Sequence, residues 1–116
     1  MARAATTSDV FNAVAEPSRR ALLDCLAHGE LAVGALVDQT DLEQPSVSKH
    51  LRVLHAVGLV TSRRDGRQRF YRLEAQAMRP LHAWVRTFDR YFERQLERVK
   101  ERAESTRREH PRKEPS

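Results

Sequence analysis

The stretch Gln44-Pro45-Ser46-Val47-Ser48-Lys49-His50-Leu51-Arg52-Val53-Leu54-His55-Ala56-Val57 buries its apolar side chains as a helix, with Val47, Leu51 and Leu54 spaced i, i+4, i+7 on one face. Pro45, Lys49, Arg52 and Ala56 then stand opposite, with Ser46 and Val53 beside them. Gly58 stops the helix, and Leu59-Val60-Thr61-Ser62 reads as a strand. Arg63-Arg64-Asp65-Gly66-Arg67-Gln68-Arg69 supplies a tight turn crowded with guanidinium groups. Strands over Leu59 to Arg64 and Arg67 to Leu73 make a hairpin, and Asp65-Gly66 offers the positive φ that a two-residue turn demands. A polar-tipped helix followed by a basic hairpin is the pattern of a winged helix-turn-helix.

The flanking segments complete that frame. Ser8 to Ala15 carries Val10, Phe11 and Val14 at helical spacing, capped by Ser8 or Asp9. Pro17 suits the first turn of a second helix that runs through Leu26 and ends near His28-Gly29. Leu31, Val33, Leu36 and Val37 predict a third helix ending near Thr40, and Asp41-Leu42-Glu43 forms the turn into the helix at Gln44. From about Ala75 to Arg102 the pattern is helical again, with a kink or restart at Pro80. The fold class is mainly α with a small β-hairpin wing, over a domain at residues 8–102. Glu101 to Ser116, with Pro111 and Pro115 and no apolar residue beyond Ala103, is expected to be frayed helix and then a disordered tail, the tail assigned to residues 103–116.

The last helix carries an apolar stripe of Leu81, Trp84, Val85, Phe88, Tyr91, Phe92, Leu96 and Val99. A 116-residue chain has a modest core, and its single cysteine, Cys25, rules out an intrachain disulfide. The stripe, together with Val10, Phe11 and Val14 of the first helix, is therefore expected to pack against a second subunit. Packing within one subunit is the alternative.

The formal charge is +5, and it is concentrated: between Gln44 and Arg72, seven Lys and Arg side chains stand against the one carboxylate of Asp65. Clustered cations neutralise phosphates and release counterions, the sequence-independent part of DNA affinity. Base reading needs short polar side chains where a helix enters the major groove, which Gln44, Ser46, Ser48 and Lys49 supply. Ser46 could instead be a cap and Lys49 a solvated charge. His50 lies nearer the core face, either as a half-buried orienting residue or as a base contact. Arg52, Arg63, Arg64, Arg67 and Arg69 are the expected phosphate or minor-groove contacts, Arg67 and Arg69 sharing a strand face and Arg63 and Arg64 reaching the turn from the other side. Arg72 is farther from the tip.

Other chemistries find little support. There is no Gly-rich phosphate loop, no nucleophile elbow and no recognisable carboxylate pair, so no enzyme is expected. Cys25, on one face with Leu22 and Leu26, reads as a small core residue. His28, His50, His55, His82 and His110 lack metal-site spacing, so neither metal nor cofactor is expected. No apolar run reaches the roughly 20 residues of a membrane helix, and the start of the chain lacks a secretory stretch. A cytoplasmic location is expected.

The chain resembles the ArsR-type family of small dimeric winged-helix repressors from about Val10 to Arg98. The resemblance rests on Ala15-Glu16-Pro17-Ser18-Arg19-Arg20 leading into Leu22-Leu23, on Gly29-Glu30-Leu31, and on Gln44-Pro45-Ser46-Val47-Ser48-Lys49-His50-Leu51. Ala56-Val57-Gly58-Leu59-Val60 and Arg63-Arg64-Asp65-Gly66-Arg67 with Tyr71 complete it. It implies a homodimer on a two-fold symmetric operator, repressing by promoter occlusion, with DNA read by the helix at Gln44 and the wing beside it. The family's thiol metal site reads Glu-Leu-Cys-Val-Cys, whereas here Glu30-Leu31-Ala32-Val33-Gly34 has Ala32 and Gly34 at the cysteine positions. Its other common site pairs Asp and His on the last helix, which here has only His82. The chain is thus expected to be a metal-independent member. The alternatives are a metal- or small-ligand-responsive repressor, or a winged-helix module that binds protein and has lost DNA.

Overall fold

The structure, a computed structural model, describes residues 7–109 and divides at His82/Ala83 into two compact units. The first begins with α1 (Thr7–Ala15), α2 (Pro17–Leu26), β1 (Leu31–Ala32), α3 (Val33–Gln39) and α4 (Gln44–Ala56). The wing strands β2 (Val60–Asp65) and β3 (Gln68–Leu73) follow, then a 3-10 turn (Ala75–Met78). Helix α5 (Arg79–Arg86) runs across the division, and α6 (Asp89–Glu109) forms most of the second unit.

The segment Glu16-Pro17-Ser18-Arg19-Arg20 is a joint between two helices. The last four carbonyls of a helix have no partner within it. In α1 those are the carbonyls of Asn12, Ala13, Val14 and Ala15, and all four accept from guanidinium groups of α2. Arg19 donates to Asn12 O (3.3 Å) and Ala13 O (2.6 Å), and Arg20 donates to Val14 O (2.9 Å) and Ala15 O (3.0 Å). Glu16 caps α2, its carboxylate accepting from the Arg19 N–H at 2.9 Å, and Pro17 occupies the first turn, where its missing N–H costs nothing.

Leu22, Leu23 and Leu26 of α2, Leu36 of α3 and Val47, Leu51 and Leu54 of α4 meet Leu59 and Val60 in one core. Val10 joins them at 5% exposure, so this residue, expected at a subunit interface, is spent within its own subunit. Its neighbour Val14 packs partly buried on the same core, as do Cys25 and Leu81. Phe11 is half-buried.

Helix α4 ends as its sequence dictates. Gly58 takes φ 83°, its N–H donates to His55 O, and the Leu59 N–H donates to Leu54 O, a Schellman closure that buries Leu59 against Leu54. The wing turn differs from expectation by one residue. Asp65 pairs with Gln68, so the turn residues are Gly66 and Arg67; only Gly66 has positive φ (62°), the type II′ arrangement with glycine first.

Three other expectations are corrected. Leu31 and Ala32 do not begin the third helix. They form β1, pairing antiparallel with Tyr71 and Phe70, so the sheet has three strands in the order β1-β3-β2. A helix does restart at Pro80, in the first turn of α5, but a further break falls at Thr87-Phe88, where the Thr87 hydroxyl donates to Trp84 O at 2.6 Å and competes with the helical ladder. Finally, α6 continues to Glu109 rather than fraying at residue 103, because Glu, Arg, Lys and Ala are good helix formers and no glycine or proline intervenes. The remainder of the expected tail, 110–116, lies outside the described residues.

Candidate nucleic-acid interface

Helices α3 and α4, joined through Thr40 and Asp41-Leu42-Glu43, form the helix-turn-helix. The Thr40 hydroxyl stitches the turn, donating to Leu36 O at 2.8 Å and accepting from the Leu42 N–H at 3.4 Å. With Val47, Leu51 and Leu54 held in the core, the rest of α4 divides into three strips. Gln44, Ser48 and Arg52, at i, i+4, i+8, form the strip nearest the wing. Pro45 and Lys49 point outward, and Ser46, His50 and Val53 form the other flank.

The wing-side strip borders an open groove of about 680 Å³ that Gln44 and Ser48 share with Gly34 and Asp38 of α3 and with Arg67 and Arg69 of the wing. Deeper along the same side, Ser48, Arg52 and His55 face Ser62, Arg69 and Tyr71. Gln44, Ser48, Lys49 and Arg52 are all exposed. The cap position of α4 is Glu43, with no side-chain hydrogen bond, and Ser46 lies within the first turn, so Ser46 does not act as the cap. Gln44 and Ser46 keep first-turn N–H groups at the positive end of the helix dipole.

His50 turns away from this groove. Its ring is 15% exposed, with Nε2 3.9 Å from the Glu16 carboxylate and Nδ1 buried without a hydrogen-bond partner among the described residues. His50 thus lies on the side of α4 toward Glu16 and the α1–α2 joint.

The four wing arginines divide by strand parity. Arg64 and Arg69 face each other across the ladder on the side that carries Val60, Ser62, Tyr71 and Leu73, and Arg69 donates to the Ser62 hydroxyl at 3.2 Å. Arg67 lies in the turn. Among the described residues, Arg64, Arg67 and Arg69 form no ion pair within 4 Å. Arg63 is on the opposite face, where both oxygens of Glu30 accept from its Nε (2.9 and 3.0 Å) and Oε1 also accepts from Nη2 (2.6 Å). Its guanidinium lies 4.7 Å from the Phe70 ring centroid, and Asp65 is 3.8 Å away. Arg72, on that face too, donates to the Thr61 hydroxyl at 3.1 Å.

Two carboxylates are held below the usual glutamate range. For Glu16 the main cause is the Arg19 N–H, and for Glu30 it is the hydrogen bond from Arg63. A carboxyl whose folded pKa lies below its unfolded value stabilises the fold above the unfolded value, and that contribution is lost as pH falls through the folded one. A Glu16→Gln/Glu30→Gln variant is therefore less stable than the parent at pH 7, and the gap closes below about pH 4. Urea unfolding at the two pH values reads this directly; a gap that persists in acid contradicts it.

Among the described residues, no three His, Cys, Asp or Glu side chains group as a metal site, and no helix is long and apolar enough to cross a membrane. A helix-turn-helix, a hairpin beside its second helix and cations on the intervening groove define a winged helix-turn-helix DNA-binding regulator. The family model for bacterial regulatory proteins of the arsR family matches residues 16–62. The chain is 38% identical over 86 residues to the HTH-type transcriptional regulator Rv2034 of Mycobacterium tuberculosis, covering 70% of this chain and 80% of that protein. It is 39% identical over 87 residues to the biofilm growth-associated repressor of Agrobacterium fabrum, covering 74% of each. The homodimeric winged helix-turn-helix DNA-binding domain Mb0332 of Mycobacterium bovis superposes with a TM-score of 0.60 at 35% identity, covering 71% of this chain and 76% of that one. The chain belongs to the arsR family.

Proposed function

We propose that the chain is a homodimeric transcriptional repressor that binds an inverted-repeat operator and acts without a metal or other cofactor. The observation that carries this reading is the groove in which Gln44 and Ser48 of α4 face Arg67 and Arg69 of the wing. Gln44, Ser46, Ser48 and Lys49 meet base edges or phosphates in the major groove, while Arg52, Arg64, Arg67 and Arg69 hold the backbone or the adjacent minor groove. His50 positions α4 from behind. Repression, and a second subunit, are supported by the names of the relatives. Metal independence is supported by Ala32 and Gly34, which offer no ligand atoms in their side chains. The protein acts in the cytoplasm and catalyses no reaction.

Fluorescence anisotropy with the chain's own upstream DNA tests this. Ser48→Ala weakens operator binding by roughly 1–3 kcal/mol and random DNA little, whereas Arg67→Ala weakens both alike and lowers the salt slope by about one. Equal losses on the two DNAs remove Ser48 from the reading set, and no binding at low salt overturns the repressor. Release from DNA by stoichiometric zinc, cadmium, arsenite or copper overturns metal independence.

A further inference from the structure

We propose that the Glu30–Arg63 pair is a clamp across the whole wing sheet, and that Arg63 is a positioning residue of the wing and not a phosphate ligand. The inference rests on the DNA-binding reading above for its consequence, but its geometry stands in the free protein. Glu30 immediately precedes β1, one edge of the sheet; Arg63 lies in β2, the other edge; and β3 runs between them. Arg63 is directly opposite Phe70, and Phe70 is directly opposite Ala32, so the guanidinium reaches Glu30 over the ring of the central strand.

Surface ion pairs contribute little when two flexible side chains must be held by one contact. This one has three hydrogen bonds in a forked geometry and an aromatic face beneath the cation, which pre-orders the fork. It also joins residues 33 apart in sequence. Strand parity gives the clamp its meaning. Arg64, next in the chain, necessarily points to the other face with Arg69, toward the α4 side. Pairing Arg63 with Glu30 neutralises one of the two arginines on the face away from α4, where Arg72 is held by the Thr61 hydroxyl, while Arg64 and Arg69 stay without an ion pair on the α4 side; it also holds the two-strand hairpin to the edge that leads into α3.

The test compares Arg63→Gln, Glu30→Gln, their double variant and Arg64→Gln in two measurements. In operator titrations between about 50 and 200 mM salt, Arg64→Gln lowers the slope of log K against log salt by about one. Arg63→Gln and Glu30→Gln each weaken operator binding several-fold with the parent slope, and the double variant is no worse than either single change. In the free protein, amide hydrogen exchange across Thr61–Arg64 and Gln68–Arg72 speeds up in Arg63→Gln and Glu30→Gln but not in Arg64→Gln. The clamp is overturned by a salt slope for Arg63→Gln as flat as that of Arg64→Gln, by tighter binding of Glu30→Gln, by additive losses in the double variant, or by unchanged exchange. The exchange measurement contains no DNA, so a parent protein that binds none counts against the repressor while exchange still decides the clamp.

Discussion

Leu51→Ala is expected to lower the free energy of unfolding by roughly 2–5 kcal/mol, the cost of deleting a fully buried leucine side chain from a packed core. Leu51 is 1% exposed, in the row with Val47 and Leu54 that fixes α4 against the other helices and the sheet. Domains of this size are stable by only about 5–15 kcal/mol, so the loss is a large share of the total. The urea midpoint falls while the denaturant slope stays the same, because the surface exposed on unfolding barely changes. Arg52→Ala, one residue on and exposed, stays within about 0.5 kcal/mol. The pair separates the two roles of α4: Leu51→Ala weakens DNA binding through loss of folded protein, Arg52→Ala by loss of a cation from an intact fold. A change below about 1 kcal/mol for Leu51→Ala contradicts the placement of this row in the core.

That row was legible from spacing alone, because a helix of period 3.6 leaves one way to bury Val47, Leu51 and Leu54 together. The close of α4 at Gly58 was legible for the same local reason. What was hidden depends on partners distant in the chain. Leu31 and Ala32 continue an apolar pattern that suits a helix, and only the free edge of β3, some 40 residues on, makes them a strand. The stitch of Arg19 and Arg20 to α1 was missed because two arginines in an exposed motif look like a surface feature; the signal was their position just beyond a helix end with four orphan carbonyls. The four wing arginines looked equivalent by composition. Their division was partly readable, since neighbours in a strand point to opposite faces, but the partner that claims Arg63 is Glu30, which carried no sign of its role. Helical spacing puts His50 near the core side of α4, and its neighbour there, Glu16, comes from a joint 34 residues earlier that spacing within α4 does not reveal.

Replacing Phe88 and Phe92 together with alanine is expected to convert the proposed dimer to monomer at micromolar concentration. Trp84, Val85, Phe88, Tyr91, Phe92, Leu96 and Val99 are 42–68% exposed, an unusually long run of large apolar side chains to leave in water. Trp84 and Phe88 stack edge to face at 5.4 Å, and Tyr91 and Phe92 do so at 5.9 Å, so the rings already form ordered pairs on either side of the α5–α6 break. Burial of one such ring against a second subunit contributes roughly 3 kcal/mol, worth more than a hundredfold in the dissociation constant, and two rings contribute more. Operator affinity falls with it. A monomer engages one half-site at a time, and the advantage of two linked reading surfaces disappears. Residue Val99 is the internal comparison: a smaller side chain farther along the helix, whose loss to alanine has a lesser effect if the aromatic cluster is the centre of the interface. Sedimentation velocity of the parent, Phe88→Ala/Phe92→Ala and Val99→Ala proteins, with operator titrations of each, measures both consequences. Unchanged sedimentation of the double variant would place the subunit contact elsewhere and leave the stripe to another partner.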